Sequence, residues 1–325
     1  MKSKHLDETQ IIAMIRKAFN ASLHRDRGLY DDASLIKLDG ISVVIKADMF
    51  VASTDLLPGM NLRQASRKAV LSSMSDMASK GAEALYLIVS LGIPRRISND
   101  RSVGSIVEGL KQASREFRVQ LIGGDVNESK DFVIDSILVG KAGRTAERCG
   151  ARVGDVVAAT GPFGYTGLAL SHLLKGIKLP AELMEVCLKS VYEPSPNLEV
   201  AKGIVSSGFA DASMDSSDGL ALTLHEIAEQ SNVAIRVSSL PVDERLYILD
   251  RKLVFDAVMY GGEEFLTVLC IPKSVYSEAE NLAKEKGGKL YKIGEVAKGN
   301  GVFITSDGGK SWNRLRRKGW THLSR

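Results

Sequence analysis

The stretch Val119-Gln120-Leu121-Ile122-Gly123-Gly124-Asp125-Val126-Asn127 sets a short apolar run directly against two glycines and a carboxylate. Glycines placed there let a backbone approach a phosphate, and the oxygens of Asp125 suit a hard cation such as Mg2+. An Asx-type turn accounts equally well for those residues taken alone. Upstream, residues 35–38, 41–47 and 50–53 read as short strands rich in β-branched side chains, with Asp39-Gly40 as the hairpin turn between the first two. Residues 62–80 read as a helix: Ala65, Ala69, Val70, Met74 and Met77 recur near the helical period, and Gly81 stands where a C-cap belongs. An apolar strand over 85–91, a helix over 98–117 opened by Ser98 and Asn99, and a strand over 132–139 complete a first half of the α/β class.

Between 141 and 154 this pattern breaks into a basic, glycine-containing segment. A second half restarts with a strand at 155–159, the loop Thr160-Gly161-Pro162-Phe163-Gly164-Tyr165-Thr166-Gly167, and further helices and strands down to a hairpin-like tail. At 325 residues the chain exceeds the size at which a single core usually stops growing. Two domains of similar size, 1–145 and 146–325, are therefore expected. With 44% hydrophobic and 25% charged residues, the composition is that of an ordinary globular protein. The net charge of +4 is small, and the basic run Arg314-Leu315-Arg316-Arg317-Lys318 reads as a solvated face, so no nucleic-acid partner is expected. Cys149, Cys187 and Cys270 are widely separated and lack any Cys-x-x-Cys spacing, which argues against zinc, an iron–sulfur cluster or a disulfide framework and for the reducing cytosol. Residues 1–10 are polar and the longest apolar stretch, 84–94, is too short to cross a bilayer, so a cytoplasmic location without membrane attachment is expected.

The familiar nucleotide and hydrolase motifs are missing. Gly309-Lys310-Ser311 imitates the end of a phosphate-binding loop, but Ile304 stands where its leading glycine belongs and the tripeptide falls in a hairpin turn. The five histidines show no ligand spacing. What remains is a set of aspartates, Asp32, Asp48, Asp76, Asp125, Asp215 and Asp218, each beside an apolar run or in a Gly/Ser-rich turn. Asp215-Ser216-Ser217-Asp218-Gly219-Leu220 precedes a helix over 220–230, where hydroxyls and amides can face an anion, although a plain N-cap needs only one of those polar residues. Tyr260-Gly261-Gly262-Glu263-Glu264-Phe265 puts two acids between a glycine pair and a strand, and Asp76 sits on an otherwise apolar helix face, costly without a cation or donors nearby. Carboxylates so dispersed can converge on hard cations that bind phosphates alongside them, so phosphoryl transfer without a P-loop is the chemistry expected.

These segments, in this order, also carry a resemblance. Asp31-Asp32-Ala33, Ala47-Asp48-Met49, Ser75-Asp76, Lys80-Gly81-Ala82, Ser90-Leu91-Gly92-Ile93-Pro94, Gly123-Gly124-Asp125, the run from Arg148 to Asp155, the stretch 215–220, the stretch 261–265 and Lys318-Gly319-Trp320-Thr321-His322 resemble the thiamine-monophosphate kinase family of the aminoimidazole-ribonucleotide-synthetase-like superfamily. The resemblance covers essentially the whole chain. It implies a two-domain α/β (α+β) fold in which an N-terminal mixed-sheet domain forms a homodimer and a C-terminal α/β domain completes the ATP and substrate site. It implies ATP-dependent phosphorylation of thiamine monophosphate to thiamine diphosphate. Carried over residue by residue, it assigns several Mg2+ ions to Asp32, Asp48, Asp76, Asp125, Asp215 and Asp218, ATP contacts to Gly124, Asp125, Arg148 and Ser217, and substrate contacts to Asp55, Glu263 and Trp320. A carboxylate with an indole face suits a cationic aromatic substrate, the cation–π part contributing about 0.5–2 kcal/mol. Transfer between two phosphates needs positioning and charge neutralisation more than a protein nucleophile, so direct in-line attack is expected.

The chain departs from the family pattern in three places. Lys46-Ala47 precedes Asp48 where hydroxyl residues are usual, and the Lys46 ammonium is expected to stand in for one cation. Asp55 follows Ser53-Thr54 where a histidine is usual, and an acid facing a phosphate repels it unless metal intervenes. Glu264 follows Glu263 where an aspartate is usual. Two alternatives stay open: another ATP-dependent activity of the superfamily with a different phosphoryl acceptor, and a Mg-ATP-binding protein without catalysis. Selenophosphate synthesis calls for a reactive Cys near the N-terminus, and hydrogenase maturation for a C-terminal Cys; neither is present.

Overall fold

Two mixed sheets organise the molecule, whose computed structural model describes residues 5–19 and 27–323. A helix α1 (Glu8–Ala18) precedes the first sheet, which collects β1 (Ser34–Leu38), β2 (Ile41–Val51), β3 (Glu83–Ile93), β4 (Gln120–Glu128) and β5 (Val133–Lys141) in the order β1-β2-β5-β3-β4. Only β3 and β4 run parallel among these neighbours. Asp39 and Gly40, with φ of 47° and 83°, close the β1–β2 hairpin as a two-residue turn of the primed type requires. Where two strands are expected over 41–53, β2 runs unbroken to Val51 and the short helix α2 (Ala52–Asp55) follows. Asp48 does not interrupt the strand because alternation sends its side chain to the same face as Val44 and Phe50.

The stretch around Gly123 and Gly124 is neither turn nor loop but the middle of β4, with Gly124 paired to Val89 and Asp125 to Ser90. A Cβ at Gly124 would stand 1.9 Å from the Val89 carbonyl oxygen, so the close approach of β3 by itself demands glycine there.

Helix α3 (Leu62–Ser79) lies between this sheet and the second half of the chain. Asn61 and Gln64 cap it reciprocally, each side chain accepting from the other's amide at 2.9 and 3.1 Å. It packs on β2 and β5, on α4 (Asp100–Phe117) beside it, and on elements of the second sheet. Its small residues, Ala65, Ser66, Ala69, Ser73, Ser75, Ala78 and Ser79, are all buried, so both neighbours can approach closely.

The second sheet contains β6 (Val156–Ala159), β7 (Ala212–Ser216), β8 (Ala234–Val237), β9 (Leu266–Ile271), β10 (Tyr291–Ala297), β11 (Gly301–Ile304) and β12 (Asn313–Arg314), in the order β12-β11-β8-β10-β6-β9-β7. Around it pack α5 (Tyr165–Lys175), α6 (Ala181–Tyr192), α7 (Leu198–Ser206), α8 (Leu220–Gln230), α9 (Arg251–Tyr260) and α10 (Tyr276–Glu285). Gly309-Lys310-Ser311 falls in the β11–β12 connection, where Asp307 accepts from the Ser311 amide at 3.0 Å and holds the turn. One contiguous buried cluster, from Ala33 through Phe132 and Phe163 to Leu315, joins both halves. No described helix is long and apolar enough to cross a membrane.

The five-stranded sheet has two unlike faces. One, with Val44, Phe50, Leu87, Val89, Ile134 and Leu138, is buried. The other, set by the ladder Met49–Asp135–Ser90–Asp125 and including Tyr86, stays open, with Met49 64% and Tyr86 41% exposed.

Candidate functional site: a carboxylate cluster between the sheets

Helix α3 passes the junction of the two halves and presents Ser72, Ser75, Asp76, Ser79 and Lys80 there. Facing it are Lys46 and Asp48 from β2, Asp31 and Asp32 from the approach to β1, Asp215 from β7, and Arg148 from the connection between the sheets. Asp32, Asp76 and Asp215 are all buried and bring carboxylate oxygens within 4.8 Å of one another. Asp48 joins them through Lys46, whose Nζ lies 3.0 Å from Asp48 and 2.8 Å from Asp76. Serines complete the shell: Ser72 donates to Asp48 at 3.2 Å, Ser75 to Asp215 at 3.1 Å and Ser79 to Asp32 at 2.8 Å.

Buried carboxylates at this density are tolerable only with compensating charge. Arg148 reaches Asp32 through Nε at 2.7 Å and also through Nη2. Lys80, itself buried, meets Asp31 at 2.6 Å and Asp32 at 3.0 Å and donates to the Ser213 carbonyl at 2.6 Å, tying α3 to β7. Against burial, these two cations hold the Asp32 carboxyl well below the ordinary range. The opposite holds next to it. Burial and then the Asp32 charge push Asp215 up to about 6, and burial and then Asp215 push Asp76 well above the usual value, with Lys46 opposing. Against burial, Asp76 and Asp48 keep the Lys46 ammonium charged. One side of the cluster is thus neutralised by resident cations and the other is short of positive charge. Its donors are oxygens, the set that hard divalent cations such as Mg2+ take, so the residues present fit such an ion.

Asp218 and Ser217 form the rim. The Ser217 carbonyl accepts from the Glu263 amide at 2.6 Å and the Asp218 carbonyl from the Trp320 amide at 2.9 Å, so one short loop fixes both candidate substrate residues. Glu263 adopts φ 65°, unusual for a non-glycine residue and costing about 1–3 kcal/mol. Its Oε1 pairs with Lys68 of α3, and its Oε2 is buried without a partner among the described residues. Trp320 is 48% exposed, its ring edge-to-face with His322 at 5.9 Å. Asp218 is exposed, yet its surroundings and then the Asp215 and Glu8 charges raise its carboxyl to about 7, a shift that solvent access moderates.

Four expected site residues lie apart from this geometry or are already engaged within the protein. Asp125 points to the open face of the sheet, opposite Asp48 and three strands away, roughly 14 Å by strand spacing, and accepts from the Asn127 side chain at 2.9 Å. Gly124 shares its strand. Asp55 accepts from the Val51 amide at 2.7 Å and closes the α2 turn. Arg148, expected at ATP, is engaged with Asp32. Sequence reading missed Lys68, Ser75, Ser79 and Lys80 as site residues. Their signal was the spacing 68, 72, 75–76 and 79–80, a polar line along one helical face.

The chain matches the family model for the AIR synthase related protein, N-terminal domain, over residues 30–142, and that for the C-terminal domain over 152–307. It is 35% identical over 322 residues to the thiamine-monophosphate kinase of Nitrosopumilus maritimus, covering 98% of this chain and 99% of the relative. To the thiamine-monophosphate kinase of Pyrococcus horikoshii it is 32% identical over 321 residues, covering 97% and 96%. Among solved structures, AaThiL complexed with AMPPCP and TMP superposes with a TM-score of 0.83 at 25% identity, covering 99% of each chain.

Proposed function

The chain belongs to the thiamine-monophosphate kinase family, and from that membership we propose that it transfers the γ-phosphoryl group of ATP to thiamine monophosphate, giving thiamine diphosphate and ADP. The observation that carries this reading is the convergence of Asp32, Asp76 and Asp215 within 4.8 Å in the junction between the sheets. The full-length likeness to a structure holding AMPPCP and TMP supports the same pair of substrates. Mg2+ held by Asp76, Asp215 and Asp218, with Asp32 and Asp48 beside them, would neutralise the phosphate oxygens and hold them in line.

The chain's own groups do the rest. Lys80 and Arg148 keep Asp32 ionised, and Ser75 and Ser79 fix carboxylate oxygens, so the cluster keeps its charge and shape before substrate arrives. Glu263 and the exposed Trp320, anchored on the 217–218 carbonyls, offer a carboxylate and an indole to a cationic ring a short reach from the acids. No side chain is needed as a nucleophile. ATP contacts at Gly124, Asp125 and Ser217, a substrate contact at Asp55 and a metal role for Asp125 belong to the same proposal. They rest on the resemblance, since Asp125 faces away from the cluster.

We further propose a homodimer formed through the open, largely apolar face of the first sheet, with Asp125 on that face, a division of the chain at 145–146, and a cytoplasmic location. The test is direct. The purified chain incubated with Mg-ATP and thiamine monophosphate should yield ADP and thiamine diphosphate in equal amounts; nucleotide binding without either product, across metals and temperatures, would sink the kinase reading.

A further inference from the structure

Resident positive charge is unevenly shared among the clustered acids. Asp31 and Asp32 have Lys80 and Arg148. Asp48 and Asp76 have Lys46, its Nζ bridging one oxygen of each at 3.0 and 2.8 Å. Asp215 and Asp218 make no ion pair within 4.0 Å among the described residues. An ion bridging oxygens of two carboxylates is the arrangement a divalent cation adopts between acids, and here a tethered ammonium occupies it. Its side chain is only 18% exposed and that of Asp76 7%, so the ammonium is enclosed rather than swinging in solvent.

We infer that Lys46 is a built-in counter-cation that fills the Asp48–Asp76 place and lowers by one the number of divalent ions this protein binds. Ions are thereby directed to the Asp76–Asp215–Asp218 side. The inference rests on the reading of the cluster as a divalent-metal site. An ammonium brings one positive charge and hydrogen bonds but no open coordination position, so the phosphate contact that an ion would make there is lost. In exchange, the place stays filled whatever the free metal concentration.

The test counts ions rather than turnover. Wild-type chain, Lys46→Met and Lys46→Gln are titrated with Mn2+ in the presence of AMPPCP, and free Mn2+ is followed by its electron paramagnetic resonance signal. Each neutral variant should saturate with one more Mn2+ per protomer than wild type. Its thermal midpoint should also rise more on Mn2+ addition, because the vacated place is refilled. Equal uptake by all three overturns the role given to Lys46 while leaving the metal site standing. Variants that stay unfolded with and without Mn2+ overturn it too, since a cation place must accept a cation. No uptake by wild type removes the metal reading itself, and the inference with it.

Discussion

Glu264 is buried at the start of α5, where the Gly164 amide donates to it at 2.7 Å, and burial still pushes its carboxyl from 4.5 up to about 7. A carboxyl whose value is raised on folding binds its proton more tightly in the native state. Its contribution is therefore full below 4.5 and is lost as pH rises towards 7. Glu264→Gln keeps an acceptor for Gly164 without the buried charge. Its thermal midpoint should exceed that of wild type at pH 8 and match it at pH 4.5; the same difference at both pH values would contradict the burial account. Lys80 argues in the other direction. Lys80→Met leaves Asp31 and Asp32, in a buried place, with Arg148 as their remaining cation, and breaking such a pairing costs about 3–5 kcal/mol, to be read from the denaturant midpoint. At this scale the acids were legible, as were Lys46 and Arg148, whereas Lys68 and Lys80 were not. A buried aspartate in a Gly/Ser setting signals chemistry by itself, whereas Lys80 looks like any lysine at a helix end until the residues it meets, 31, 32 and 213, are folded around it.

Helix α3 was legible as a helix from its apolar recurrence, and its observed end at Ser79 is one residue short of the expected one. What the recurrence hid is that the polar side is buried as well, since Ser66, Lys68, Ser73, Ser75, Asp76 and Ser79 lie inside. A periodicity reading assigns one face to solvent, and here that face is taken by the second half of the chain. Strand β4 shows a different failure. Glycines and an aspartate are turn formers by local preference, yet pairing with β3 overrides that preference and extends the strand to Glu128. Because α3 carries residues that face both sheets, its N-terminal cap is a sensitive point. Asn61→Ala, which breaks the reciprocal cap with Gln64, should cost about 1 kcal/mol in unfolding free energy, measured by denaturant titration; Asn61→Asp should restore most of it.

Across the whole molecule, the α/β class and the change of pattern near 141–154 were readable because each half repeats its own strand and helix periods. The order of strands in either sheet was not readable, since β5 comes to lie between β2 and β3 only through long-range pairing. The open face of the first sheet is the feature with a measurable consequence at this scale. Tyr86→Glu places a charge among apolar residues that a second copy would cover, so light scattering should show a fall from dimer to monomer. A chain that is monomeric before mutation would remove the proposed interface. The two ends of the described chain also meet: the His322 amide donates to the Glu8 carboxylate at 3.2 Å and the Glu8 amide to the His322 carbonyl at 3.4 Å. Helix α1 thereby braces the tail that carries Trp320, whose ring meets His322 edge-to-face, so the helix that opens the first half steadies an indole of the second.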